Sequence, residues 1–251
     1  MPAITIDAKD RLIVALDSKD IEAARQMVRE LEGAVRFYKF GLVLQMAEGA
    51  EQFIRELITS GKKVFLDYKY YDIAETVKKA VSRVAELGVS FLTVHGSSAT
   101  IRGAVEGRGN SDLKLLAVTV LTNMEKQDIT EMGYAEHSVE QVVLFRVNKA
   151  LEAGCDGVIA SGREAEAIKK ISRGRLLVIT PGIRPDGYPE DDQKRIVTAR
   201  QAISAGADYL VVGRPIIGQP NPREAAEAIL REMEEAFYSR SGGVTPAIQE
   251  S

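Results

Sequence analysis

Residues 66–76 read LDYKYYDIAET, and they place Asp67, Lys69 and Asp72 at the end of KKVFLDYK, a run that otherwise has the composition of a buried strand. Residues two apart on a strand share a face, so Asp67 and Lys69 are expected to point the same way, with Asp72 just past the strand's end. A carboxylate, an ammonium and a second carboxylate so spaced form either a solvated ion pair or a site that keeps a lysine charged and aimed. The surrounding elements decide between these.

Eight short runs rich in β-branched and apolar residues recur along the chain: RLIVALD, VRFYKFG, KKVFLDYK, FLTVHG, KLLAVTVLT, DGVIA, RLLVITPG and DYLVVGRP. Between them lie stretches with helical periodicity, among them SKDIEAARQMVRELEG with Ser18 as N-cap, LVLQMAEGAEQFIRELITSG and ETVKKAVSRVAELG. A junction repeats as well: Gly61, Gly88, Gly154 and Gly206 each end a helix shortly before a strand. Eight βα units in a chain of 251 residues predict an α/β fold, a (β/α)8 TIM barrel in a single domain over 1–251. Its core is expected over about 10–236, with a frayed polar tail at 240–251. A doubly wound open sheet is the alternative, and the strand count argues against it.

In a barrel, chemistry belongs to the C-terminal face, and the strand ends there are heavily loaded. The first ends in Asp17, the second in Lys39, the third in Asp67 and Lys69 with Asp72 after it, the fourth in His95 and the fifth in Thr122. Lys39, Asp67, Lys69 and Asp72 would set two positive and two negative charges around one mouth, each holding the others ionised. The last strand, VVGRP, offers backbone N–H groups at Gly213 and Arg214 and a guanidinium, where barrel enzymes commonly bind phosphate. GIRPDGYPEDDQKR is longer than a usual βα loop and reads as a lid over 183–194, with Arg184 or Gln193 reaching the ligand. His95 is open between an acid–base group and a hydrogen-bonded core residue.

Composition excludes several functions. The formal net charge is −3 with dispersed Lys and Arg, which leaves no electrostatic footprint for nucleic acid. No apolar run is long enough for a membrane span, and the N-terminus lacks a signal-peptide pattern, so a cytoplasmic protein is expected. His95 and His137, the only histidines, have no metal-ligand spacing, and no dinucleotide or P-loop fingerprint occurs. Cys155, the only cysteine, reads as a small buried hydrophobe.

These residues resemble a known family. FLDYKYYDIAET is similar to the D-x-K-x-x-D-I-x-x-T signature of the orotidine 5′-phosphate decarboxylases, and VALD, YKFG, TVLT, TPGIRP with Gln193, and VVGRP match the family's other motifs in order over about 10–235. The resemblance implies a homodimeric TIM barrel that converts orotidine 5′-phosphate to uridine 5′-phosphate and CO2 in pyrimidine nucleotide synthesis, without metal or cofactor. It implies Lys39, Asp67, Lys69 and Asp72 as the catalytic array, with Lys69 as proton donor, and Asp72 and Thr76 reaching into the partner's site. Asp17 would bind the ribose, Thr122 the pyrimidine, and Arg184, Gln193, Gly213 and Arg214 the phosphate end.

Two positions depart from the pattern. Ala74 stands where Pro or Gly is usual, and Asn123 where Ser is common; neither belongs to the charged array. A related group, the 3-keto-L-gulonate 6-phosphate decarboxylases, shares D-x-K-x-x-D but uses Mg²⁺, and Lys39 discriminates because a cation near the end of strand two would repel that ion. A barrel that only binds nucleotide phosphates is the remaining rival, and it would gain nothing from burying four ionisable groups.

Overall fold

The computed structural model describes residues 7–189 and 191–240. Strands β1 (Leu12–Ala15), β2 (Phe37–Phe40), β3 (Lys63–Tyr70), β4 (Phe91–Val94), β5 (Lys114–Val118), β6 (Gly157–Ile159), β7 (Leu177–Thr180) and β8 (Tyr209–Val212) close into one parallel barrel in chain order, with β8 pairing back onto β1. Around it run α1 (Ile21–Glu30), α2 (Leu42–Gln45), α3 (Ala50–Thr59), α4 (Ala74–Glu86), α5 (Ser98–Arg108), α6 (Lys126–Glu131), α7 (Val139–Ala153), α8 (Ala165–Ser172), α9 (Ala199–Ser204), α10 (Arg214–Ile217) and α11 (Pro222–Arg240). Each predicted strand run forms a strand, and the fold is the expected TIM barrel. The tail beyond Arg240 lies outside the described residues. Among the described residues no helix is long and apolar enough to cross a membrane.

Alternation along the strands divides the core into two layers. Ile13, Ala15, Phe37, Phe65, Phe91, Leu116, Ile179 and Val211 fill the barrel interior, while Val14, Tyr38, Val64, Leu92 and their counterparts pack outward against the helices. Phe91 meets Phe37 and Tyr209 with ring centroids at 5.0 Å in both cases, an aromatic plug under the C-terminal mouth. The same parity continues past the plug. Asp17, Lys39, Asp67 and Gly213 stand two residues beyond Ala15, Phe37, Phe65 and Val211, so the sequence that fills the barrel also aims the polar residues into its mouth.

Three local expectations change. The N-cap of α1 is Asp20, whose Oδ1 accepts from the Ala23 N–H at 2.8 Å; Ser18 lies too far upstream to reach that turn. LVLQMAEGAEQFIRELITSG forms two helices, α2 and α3, because Gly49 sits at φ +79°, a conformation that cannot continue a right-handed helix. β5 ends at Val118, so Thr122 stands in the loop that follows. The glycine junctions hold: Gly61, Gly88, Gly154 and Gly206 all have positive φ. Cys155 is buried as expected, and burial pushes its thiol up to about 12.

Candidate active site

Lys39 anchors the mouth. It is 8 % exposed, and its Nζ lies 3.5 Å from both Asp17 Oδ1 and Asp67 Oδ2. Gly41 leaves room for this pair, since a Cβ there would come within 3.2 Å of Lys39 Nζ and 3.3 Å of Asp17 Oδ1. On its other oxygen, Oδ1, Asp67 accepts from Lys69 Nζ at 2.9 Å and from the Thr93 hydroxyl at 3.0 Å. Burial works against an ionised Asp67, but the charges of Lys39 and Lys69 and the hydrogen bonds of Lys69 and Thr93 outweigh it, and its carboxyl titrates below the usual 3.8. Asp17, Lys39, Asp67 and Lys69 thus run as an alternating chain of charges.

Lys69 reaches Asp67 by a different route from the pleat parity expected of it. Leu66 pairs with Leu92 but Tyr70 pairs with Val94, so four residues of β3 advance while β4 advances two. Within this bulge Lys69 adopts φ +50°, one of two non-glycine residues with positive φ among those described. Such a backbone costs about 1–3 kcal/mol and persists where its surroundings over-determine it. Here the Lys69 N–H, turned out of the ladder, donates to Thr93 Oγ1 at 2.9 Å.

The residues expected at the phosphate end share this mouth. Asp17, Lys39, Asp67, Thr122, Arg184, Gln193, Gly213 and Arg214 line one cavity of about 160 Å³. The Thr122 hydroxyl donates to Gln193 Oε1 at 2.8 Å, tying the loop after β5 to the loop after β7. The buried Arg184 donates from Nε and Nη2 to Asp191 Oδ2 at 3.0 and 2.7 Å. Arg214 pairs with Asp192, and lies 3.4 Å from Asp191. Both expected phosphate ligands are therefore held in place by acids of the same loop. The expected lid, 183–194, includes Glu190, which lies outside the described residues; its base is pinned by the Ile183–Val197 bridge.

Asp72 and Thr76 are not brought into this cluster. Asp72 is exposed and its carboxylate accepts from the neighbouring Ile73 N–H at 2.6 Å, and Thr76 is exposed on the first turn of α4. His95 turns away from the cavity into a separate groove of about 590 Å³, 5.6 Å from the Tyr71 ring and 3.5 Å from Arg146. Burial, with the charges of Arg146 and Lys69, holds its pKa below the usual 6.5. His137 is exposed ahead of α7.

Sequence reasoning missed two further residues. Thr93 lies mid-strand in FLTVHG, and its inward parity, two beyond Phe91, was the available signal. Arg195 is buried, pairs with Glu164 at 2.6 Å, and donates to the Val120 and Leu121 carbonyls at 3.1 and 3.0 Å, fixing the loop that carries Thr122. Its sequence context, QKRIV, gives no sign of this. Among the described residues no group of three or more His, Cys, Asp or Glu side chains is placed to hold a metal ion.

Comparison with known proteins places this geometry. The model of the orotidine 5′-phosphate decarboxylase / HUMPS family matches residues 10–229. The chain belongs to that family. An orotidine 5′-phosphate decarboxylase of Nitrobacter winogradskyi is 56% identical over 230 residues, covering 92% of this chain and 95% of that protein. A second orotidine 5′-phosphate decarboxylase, of Rhodopseudomonas palustris, is 46% identical over 91% of this chain and 96% of its own. The crystal structure of the orotidine 5′-phosphate decarboxylase of Lactobacillus acidophilus superposes with a TM-score of 0.78 at 34% identity, over 89% of this chain and 98% of the other. The barrel is thus the fold of that family.

Proposed function

We propose that the chain decarboxylates orotidine 5′-phosphate to uridine 5′-phosphate and CO2, without metal or cofactor, with Lys69 as the proton donor. The observation that carries this reading is the alternating chain Asp17–Lys39–Asp67–Lys69, whose first three members line one cavity together with Arg184 and Arg214. When the bond from C6 to the carboxylate breaks, the electron pair stays on C6 in the plane of the ring, beyond reach of the π system. A fixed cation beside C6 stabilises that charge as it develops, which is electrostatic preorganisation. The Lys69 ammonium then gives its proton to C6, a C–H bond forms, and the neutral amine regains a proton from solvent. Asp67, ionised and bonded to the same ammonium, keeps Lys69 charged and aimed until that transfer.

The remaining residues take roles from their positions. Asp17 faces the cavity beside Lys39 and suits the ribose hydroxyls; Thr122 and Gln193, joined to each other, suit the pyrimidine and its bridge to the phosphate. Arg184 and Arg214, with the Gly213–Arg214 backbone at the start of α10, suit the phosphate, in exchange for their loop aspartates. Binding energy from that distant group then organises the charged chain, lowering the barrier as well as KM. Mg²⁺ is unsuited to this mouth, because the Lys39 ammonium already stands between the carboxylates of Asp17 and Asp67.

The reading includes a homodimer. Leu42, Val43 and Met46 follow β2, Tyr71 and Ile73 follow β3, and all five are more than half exposed, an apolar margin beside the mouth suited to a second copy. Asp72 lies within that margin with its carboxylate on the Ile73 N–H, which supports the reading that Asp72 and Thr76 serve the neighbour's site. Purified protein with orotidine 5′-phosphate and EDTA, followed by ultraviolet absorbance, tests the proposal. Turnover is expected; its absence, or a requirement for added Mg²⁺, overturns it.

A further inference from the structure

The bulge in β3 raises a question of its own: what keeps Lys69 in a left-handed backbone at the one place where its ammonium must be aimed? From Leu66 to Tyr70 the ladder with β4 is interrupted, and Thr93 is the β4 residue that faces the gap. Its side chain is fully buried. A threonine hydroxyl can accept and donate at once, and this one does both: it accepts from the Lys69 N–H at 2.9 Å and donates to Asp67 Oδ1 at 3.0 Å. Asp67 Oδ1 also accepts from Lys69 Nζ at 2.9 Å, which closes a ring of three hydrogen bonds through one hydroxyl, one carboxylate and both ends of one lysine.

We propose that Thr93 is a positioning residue of the decarboxylation site, whose hydroxyl fixes the backbone of Lys69 and the carboxylate of Asp67 in a single register. The inference rests on the reading of Lys69 as proton donor. Each half of the hydroxyl has a separate job. As acceptor it satisfies a backbone N–H that the bulge has removed from the sheet, which would otherwise be left unpaired in a half-buried place. As donor it turns Asp67 so that Oδ1 faces Lys69 while Oδ2 faces Lys39 at 3.5 Å. Serine offers the same two functions; valine matches the shape of threonine and offers neither.

Because the groups that suit phosphate and ribose stand on β1, β7, β8 and their loops, loss of the Thr93 hydroxyl leaves them in place. The defect is therefore confined to the step that uses the Lys69 ammonium. Thr93→Val is expected to lower kcat by about 10- to 100-fold, as a displacement near 1 Å of a reacting group does. KM should change by less than about threefold, and Thr93→Ser should restore most of kcat. If the valine variant fails to fold, Thr93→Ala, which removes the hydroxyl without placing a second methyl against Asp67, carries the same kinetic test. A kcat for Thr93→Val or Thr93→Ala close to that of the wild type, or an equal loss in Thr93→Ser, overturns the proposal.

A crystal structure of the same variant reads the claim without any turnover. Lys69 should leave positive φ, and its Nζ should separate from Asp67; an unchanged backbone and ion pair contradict the proposal. Inactivity of the wild-type protein on orotidine 5′-phosphate overturns the functional reading instead, so the two failures are distinguishable.

Discussion

Replacing Lys39 by methionine keeps the apolar stem of the side chain and removes the charge that stands between Asp17 and Asp67. At 3.5 Å and an effective dielectric of about 20, the attraction to Asp67 is at most about 5 kcal/mol. The pair with Asp17 counts for little, about 0–1 kcal/mol, because Asp17 is more than half exposed. Taking one partner from a buried pair costs about 3–5 kcal/mol, chiefly through the charge left behind. Lys69 still faces Asp67 at 2.9 Å, so the lower end applies, about 3 kcal/mol at neutral pH. Urea unfolding of Lys39→Met, Asp67→Asn and the double variant, at one protomer concentration, measures the loss and the coupling.

The same variant has a pH signature. In the wild type the Asp67 carboxyl titrates below 3.8, so its stabilisation is complete above that value and is lost as pH falls through the lower folded one. Without Lys39, burial is less opposed and the carboxyl protonates at higher pH, which relieves the uncompensated charge. The difference between wild type and Lys39→Met should therefore narrow from neutral pH toward about pH 4. Losses that add in the double variant, or a gap that does not change with pH, would refute the charge-chain argument.

Burial raises the Glu164 carboxyl above 4.5 despite its pairing with Arg195, so it lowers stability as pH rises from 4.5 through the folded value; Glu164→Gln should flatten that fall in urea midpoints, and an unchanged slope contradicts it. Arg214→Ala should lower kcat/KM on orotidine 5′-phosphate by about 10- to 100-fold, the worth of one charge-assisted hydrogen bond, and unaltered kinetics would remove Arg214 from the phosphate site. Lys69→Ala and Asp72→Ala should each be inactive alone, yet mixing and reassembling their subunits should recover about a quarter of wild-type activity, because one site of each mixed dimer is intact. No recovery on mixing would place Asp72 in its own subunit's site.

The barrel was legible because each strand is a short apolar or β-branched run and four of the junctions into strands carry a helix-ending glycine, a pattern that needs no tertiary information. Parity extended the reading into the site: Ala15, Phe37 and Phe65 point inward, so Asp17, Lys39 and Asp67 do too. Lys69 shows where this stops. Its meeting with Asp67 was expected from simple alternation, but it arises from a bulge and a positive φ held by Thr93, a residue 24 positions away. Arg195 was illegible for the same reason, since its partners Glu164, Val120 and Leu121 come from other loops. Ser18 and the broken helix at Gly49 are smaller cases, in which one residue's reach or dihedral overrides a periodic pattern.

The most direct measurement is the absorbance change of orotidine 5′-phosphate in EDTA with wild type and Lys69→Ala side by side, each shown by scattering and circular dichroism to be the same folded assembly. Turnover by the wild type and none by Lys69→Ala is the predicted result. Turnover by the folded alanine variant at a rate comparable to the wild type would contradict Lys69 as the group that stabilises and protonates C6.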